Sequence, residues 1–221
     1  MRVILAEKPS VAQSIAAVLG ADQKKNGYLQ GENDLVSWCI GHLIELAPPE
    51  IYDARYAKWR REDLPIVPSA WESVVSDGTK KQFAVLKDLL NRTDVDEVVC
   101  ATDAGREGEL IFRMVYEKTG CTKPVKRLWI SSLEESAIRE GFRSLKPGTA
   151  YDALYRAALC RAQADWLVGI NGTRLYSRLY GIKLNVGRVM TPTLAMVAQR
   201  EKEIAAFQVE RFYTVQLSCG F

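Results

Sequence analysis

The chain opens on a short uninterrupted apolar run over residues 3–6, the pattern of a strand buried on both faces. Pro9 follows, tolerated in a first helical turn because its missing N–H would have no partner there. Val11, Ile15, Val18 and Leu19 then recur at helical spacing until Gly20 stops them. Residues 28–46 read as a hairpin turning at Gly31-Glu32-Asn33-Asp34. Residues 48–75, rich in proline and aromatics, read as an irregular surface excursion. Residues 80–90 form an amphipathic helix with Phe83, Leu86, Leu89 and Leu90 on its apolar face.

The alternation continues with a β-branched strand over residues 97–101, then Thr102-Asp103 and a helix to about Tyr116. A further strand covers residues 125–130. Ser132-Leu133-Glu134-Glu135 matches a capping box opening a helix to about Leu145. Strands alternating with helices predict an α/β fold, a mostly parallel sheet with flanking helices. Lys146-Pro147-Gly148 marks a boundary, and beyond it the pattern is helical over residues 149–171 and 191–206. Residues 212–218 then alternate as one strand, which is unstable without partners. This predicts a first domain over residues 1–145, a smaller all-α domain over 146–206, and the first strand of a truncated third domain over 207–221.

Composition is that of a soluble globular protein, 48% apolar and 26% charged. No apolar run approaches the roughly 18–20 residues of a membrane helix. The opening run, broken by Glu7 and Lys8, is shorter than the roughly 7–15-residue core of a signal peptide. A cytoplasmic protein without membrane contact is expected. Cys39, Cys100, Cys121, Cys160 and Cys219 lack C-x-x-C spacing and read as reduced, buried thiols. The net charge of +3 is uneven: residues 142–200 hold nine basic side chains against two acidic ones, +7, leaving −4 elsewhere. One region suits an anionic partner while the other gathers carboxylates.

Ligands of open parallel sheets bind beyond the carboxyl ends of the strands. Glu7 and Asp103 each follow a predicted strand, and Glu107 lies one helical turn past Asp103. If the two strands are neighbours, these acids converge into a site for a hard cation such as magnesium. Each could equally cap the helix after it. Lys8 could hold a phosphate beside them, or be a solvated lysine at a helix start. Glu109 precedes Arg113 by four residues and reads as half of a surface ion pair rather than a ligand. Gly105-Arg106-Glu107-Gly108 is neither a Walker loop nor G-x-G-x-x-G, so no nucleotide cofactor is expected. His42 ends the second hairpin strand. Arg156, Arg161 and Asp165 share helical faces, and Tyr155 and Trp166 read as core. Arg188 and Thr191 precede a helix start, where backbone N–H groups can meet a phosphate or Thr191 can cap with Pro192 behind it.

Six runs together resemble type IA DNA topoisomerases, topoisomerase III-like, in their N-terminal portion. They are LAEKPSVA at 5–12, IGHLIELA at 40–47, LPIVP at 64–68, ATDAGREGEL at 101–110, RAQADWLVGIN at 161–171 and VGRVMTPTLAMV at 186–197. The resemblance implies a Toprim (Rossmann-like) domain followed by a helical domain that binds single-stranded DNA. It implies transient cleavage of one strand by a tyrosine that forms a 5′-phosphotyrosyl link, then strand passage and resealing. In that scheme Glu7 is a general acid/base and Lys8 stabilises the phosphate. Glu7, Asp103 and Glu107 serve Mg2+, and His42, Arg161, Asp165, Arg188 and Thr191 line the DNA path. A nucleoid-associated monomer follows, with a helicase partner of the whole protein left open.

Two departures from the family pattern matter. The D-x-D-x-E motif has Gly105 in its middle position. None of the nine tyrosines stands in the family's Y-P-R-T context, so this chain alone is expected not to cleave DNA. Other readings are a primase-like or nuclease-like Toprim phosphotransferase, or a DNA-binding module without catalysis.

Overall fold

The computed structural model describes residues 1–220. Its first part runs β1 (Arg2–Ala6), α1 (Pro9–Leu19), β2 (Gln23–Lys25), β3 (Tyr28–Gln30), β4 (Asp34–Trp38) and β5 (Ile44–Leu46). Then come α2 (Pro49–Tyr52), β6 (Ser73–Val75), α3 (Lys80–Leu90), β7 (Glu97–Ala101), α4 (Arg106–Thr119) and β8 (Val125–Arg127). The last part is α5 (Glu135–Arg143), β9 (Lys146–Pro147), α6 (Asp152–Tyr180) and α7 (Met190–Ala205).

Seven strands form one sheet in the order β2-β3-β4-β1-β7-β8-β9. The middle four, β4, β1, β7 and β8, are parallel, and antiparallel strands close both edges. The α/β fold with a mostly parallel sheet is therefore as expected. β1 lies at the centre because both its faces are apolar. Val3 and Leu5 point into a core with α3 and α4, while Ile4 and Ala6 point into a second core with α1 and α5. All four are fully buried. Each of the larger side chains stabilises by about 1.5–3 kcal/mol on burial.

Several elements depart from the expected pattern. The hairpin of β3 and β4 forms, but β5 leaves it to pair with β6 in a separate two-stranded sheet. The capping box at 132–135 does not form: Ser132 Oγ accepts from the Glu134 amide, and α5 begins with no side-chain cap. Residues 212–218 carry no strand, and 207–220 are exposed without helix or strand. With no second strand beside them, their backbone groups have no ladder to join. Residues 146–147 add the edge strand β9 to the sheet.

The excursion over 48–75 is not loose. The Asn171 side chain on α6 accepts from the Ile66 amide at 2.6 Å and donates to the Ile66 carbonyl at 2.9 Å, as a strand partner would. Arg174 donates to the Tyr56 carbonyl at 2.7 Å, and the Trp166 indole donates to the Ala47 carbonyl at 3.0 Å. Trp166 packs edge-on against Tyr52 and Trp71. Trp166 is half-buried, whereas Tyr155 packs against the core as expected, its hydroxyl donating to Glu117.

Cys39, Cys100 and Cys121 are buried, but Cys160 and Cys219 are exposed, which corrects the expectation of five buried thiols. Burial pushes the Cys100 thiol up to about 11 and raises Cys39 further still. Only the thiolate is nucleophilic. Iodoacetamide at pH 8 is therefore expected to modify Cys160 and Cys219 in the native chain and the other three only after unfolding, as counted by mass spectrometry.

Candidate active site and nucleic-acid interface

β1 and β7 leave the sheet at one edge because they are parallel neighbours in register, with Ala6 opposite Ala101. Glu7 and Asp103 therefore emerge side by side. The Asp103 amide donates to Oε2 of Glu7 at 3.2 Å. The Lys8 ammonium lies 3.9 Å from Oε1 of Glu7 and 3.7 Å from Oδ2 of Asp103. The Glu7 side chain is 12% exposed, whereas those of Lys8 and Asp103 are 57% exposed. A sheltered carboxylate thus stands behind an open carboxylate and an open cation. Neither acid caps a helix: the N-cap of α1 is Lys8, that of α4 is Gly105, and neither position makes a side-chain capping bond.

Glu107 does not join this pair. It sits in the first turn of α4 with Oε1 3.5 Å from Nη1 of Arg161 on α6. Among the described residues no three Asp, Glu, His or Cys side chains gather into a metal-holding group. The expected meeting of Glu7, Asp103 and Glu107 is corrected to a pair with a third acid drawn away by an opposite charge. The remaining donor set still suits magnesium. Its ligands are hard oxygens, one or two carboxylates commonly suffice, and water and phosphate complete the octahedron. Asp103 is open enough to admit both.

Two glycines in the acidic loop have different grounds. A Cβ on Gly108 would lie 2.1 Å from the Asp103 carbonyl oxygen, so only glycine lets α4 start against the loop. Thr102 Oγ1 donates to the Gly108 carbonyl at 2.8 Å and seals that approach. Gly105 has an extended backbone, φ −178°, and a Cβ there would meet open space. The missing carboxylate of the motif is therefore not excluded by the backbone.

A cleft of about 610 Å³ opens between α4, α6 and β5, with His42, Glu107, Arg161, Asp165 and Trp166 on its walls. Glu7, Lys8 and Asp103 stand outside this lining; of the three acids expected at the metal, Glu107 is the one that reaches it. His42 is exposed at its rim. Arg161 is 3.5 Å from Glu107 and 3.9 Å from Asp165, distances of charge attraction rather than of directed hydrogen bonds. Arg188 donates twice to Asp165, at 2.5 and 3.3 Å. That contact holds the Asp165 carboxyl below the usual carboxylate range. Its contribution is present above the ordinary carboxylate pKa and is lost only as pH falls through the depressed value. Thr191 is not a cap: its Oγ1 accepts from the Gly187 amide at 3.0 Å and its own amide donates to the Gly187 carbonyl at 3.0 Å, closing the turn before α7. Arg156, with its Nε donating to the Asp152 carbonyl, is exposed.

Two residues behind the acidic loop escaped the sequence reading. Glu109 is 1% exposed rather than on the surface. It keeps the expected pairing with Arg113, at 2.9 Å, but also faces Nε of Arg127 at 3.1 Å. Arg127 ends β8 and is itself buried. Two basic residues inside an otherwise strand-like stretch, Val125-Lys126-Arg127-Leu128-Trp129-Ile130, were the available signal. Arg113 continues the chain of charges to Asp152 at the start of α6, at 2.7 Å.

Two outcomes are expected. Glu109→Ala strands the Arg127 charge and should cost about 3–5 kcal/mol of stability, read by urea denaturation. Gly105→Asp should fold as before and raise Mn2+ affinity severalfold, read by electron paramagnetic resonance. An unchanged affinity would mean that this position does not face the ion.

Comparison with known proteins supplies the family. The Toprim domain model matches residues 2–133 and the DNA topoisomerase model matches residues 149–221. DNA topoisomerase 3 of Bacillus anthracis is 51% identical over 214 residues, 97% of this chain and 29% of the relative. DNA topoisomerase 3 of Shouchella clausii is 52% identical over 216 residues, 98% of this chain and 30% of the relative. The chain thus spans under a third of the length of these relatives. Full-length topoisomerase I from Thermotoga maritima superposes with a TM-score of 0.64 at 26% identity, over 93% of this chain and 31% of that one. With the Toprim model alone spanning more than half its length, this chain belongs to the Toprim family, in the type IA DNA topoisomerase branch and topoisomerase III-like.

Proposed function

We propose that this chain supplies the acidic, magnesium-dependent half of a strand-cleaving site together with a track for single-stranded DNA. In the whole protein these serve transient single-strand cleavage, strand passage and religation. The observation that carries the reading is the junction of Glu7, Lys8 and Asp103 at the shared edge of β1 and β7. On this reading the sheet and its flanking helices, through β9, form the Toprim part, and the helices from Asp152 onward form the DNA-binding part. DNA as substrate places the whole protein in the cytoplasm, at the nucleoid.

Cleavage exchanges one phosphodiester for another. A tyrosine hydroxyl from elsewhere in the whole protein gives its proton to solvent and bonds to phosphorus as the bond to the 3′ oxygen breaks. Glu7, sheltered behind the loop, gives a proton to the departing 3′ oxygen and takes it back on resealing. Lys8 points its ammonium at the phosphate oxygens as charge builds on them. Asp103 would hold magnesium, joined by Glu7 when its carboxyl is ionised, with Glu107 available once Arg161 turns to DNA. When bound, the ion would supply positive charge to the phosphate. In the cleft Arg161 and Arg188 meet backbone phosphates, with His42, Asp165 and Thr191 shaping the path. The carboxylates beside the arginines hold them in place until a phosphate competes.

Fluorescence anisotropy with a labelled oligonucleotide tests the track. Binding should weaken with salt, and Arg188→Ala should reduce the log–log slope by about 0.7, the loss of one phosphate contact on a single strand. A slope equal to that of the unaltered chain rules Arg188 out of the interface. On denaturing gels this chain should form no covalent DNA adduct. An adduct would locate a nucleophile within it, and magnesium-dependent nicking without an adduct would favour a nuclease-like phosphotransferase.

A further inference from the structure

The Arg127 side chain is fully buried, and it spends its donors on main chain. Nη1 donates to the carbonyls of Cys100, Thr102 and Leu128, at 3.1, 2.8 and 2.9 Å. Nη2 donates to the carbonyl of Asp103 at 2.7 Å. Three of these four acceptors, Cys100, Thr102 and Asp103, span the exit of β7. Beyond Ala101 the strand ladder ends: the Cys100 carbonyl still accepts from the Leu128 amide and the Asp103 carbonyl from the Gly105 amide, both at 2.9 Å, whereas the carbonyl of the buried Thr102 is served by Arg127. Buried carbonyls need a donor, and a planar guanidinium is the side chain that can serve several at once.

The rest of the guanidinium is held by charge and stacking rather than by hydrogen bonds. Nε faces the buried Glu109 carboxylate, which supplies the countercharge. The plane lies 5.0 Å from the ring centre of Trp129, which stacks on Tyr151 at 4.9 Å and 18°. Arg127 is therefore fixed from three sides, and through it the backbone of the acidic loop.

We propose that Arg127 is a positioning residue for the metal-dependent site. Its guanidinium fixes the Thr102–Asp103 backbone so that the Asp103 amide meets Glu7 and the Asp103 carboxylate stands beside it. Glu109 serves by keeping that guanidinium charged and oriented. The proposal rests on the reading of Glu7 and Asp103 as the metal-dependent pair, but its first test does not require metal.

The variant is Arg127→Lys, which keeps the charge beside Glu109 but replaces the fork with one ammonium. Hydrogen exchange followed by NMR in this chain, without metal, reads the Asp103 amide against those of Ile4 and Leu5 in β1. Protection of the Asp103 amide should fall about tenfold while the β1 amides keep theirs. A parallel loss at all three positions makes Arg127 merely structural, and no loss at Asp103 overturns the proposal. Mn2+ titration followed by electron paramagnetic resonance reads the consequence: affinity about tenfold weaker in Arg127→Lys at temperatures where both chains are folded. Equal affinity overturns positioning even if exchange has changed. If the unaltered chain binds no Mn2+, the magnesium reading fails while the exchange comparison still decides the loop clamp. Should Arg127→Lys not fold, the unaltered chain carries the test. Its Arg127 guanidinium protons must then exchange far more slowly than those of Arg139 or Arg200, and exchange at the same rate refutes the clamp.

Discussion

The in-register parallel pairing of β1 with β7 governs the rest of this molecule. Two strands that are adjacent in space but almost a hundred residues apart in the chain are locked with Ala6 opposite Ala101. Whatever follows each strand must then share one small volume at the carboxyl edge of the sheet. A slip of one residue would turn the apolar set of β1 against the wrong cores and separate Glu7 from Asp103 by a full residue rise. The hydrophobic demand for burial on both faces and the chemical demand for two adjacent acids are met by the same register.

Most of the sheet was legible because its strands are apolar and its helices amphipathic, and period alone separates them. β1, α1, α3, β7 and α4 stand close to their expected places. The family assignment was legible too, since six runs in order carry far more information than any one residue. Other features depend on what lies across space. β5 leaves the hairpin because β6, nearly thirty residues on, offers it a partner, and local alternation carries no partner's address. Glu109 was assigned to the surface because an i,i+4 acid–base pair usually is exposed. Arg127 approaches from β8, and only the folded sheet reveals that this helix face is inside.

Charge in the interior has a rationale here. A buried ion pair gains little over well-packed apolar groups, because the cost of leaving water roughly cancels the attraction. Leucine and methionine in place of Glu109 and Arg127 would fill similar space, but they would leave the buried Thr102 carbonyl at the end of β7 without its donor. The chain of Arg127, Glu109, Arg113 and Asp152 therefore does what an apolar core cannot. It orders irregular backbone where the strand stops, and it ties that backbone to the first turn of α6. The acid that was expected at the metal, Glu107, is meanwhile held by Arg161 of the same helix. Both lobes thus meet at α4 through opposite charges, one set half-buried and backed by the buried Glu109–Arg127 pair, the other at the rim and open to competition from an anion.

The clasp between Asn171 and Ile66 joins positions 105 residues apart. Long-range closures of that kind are entropically costly before they are rewarded, and they slow folding. Residues 152–180 can coil into a helix locally and early, but they cannot seat against the 48–75 segment until the sheet has brought that segment into place. On a ribosome, the early strands and their excursion would emerge first and wait, and α6 would arrive to a prepared bed. The cleft-facing side of α6 would therefore acquire its final shape only after the sheet.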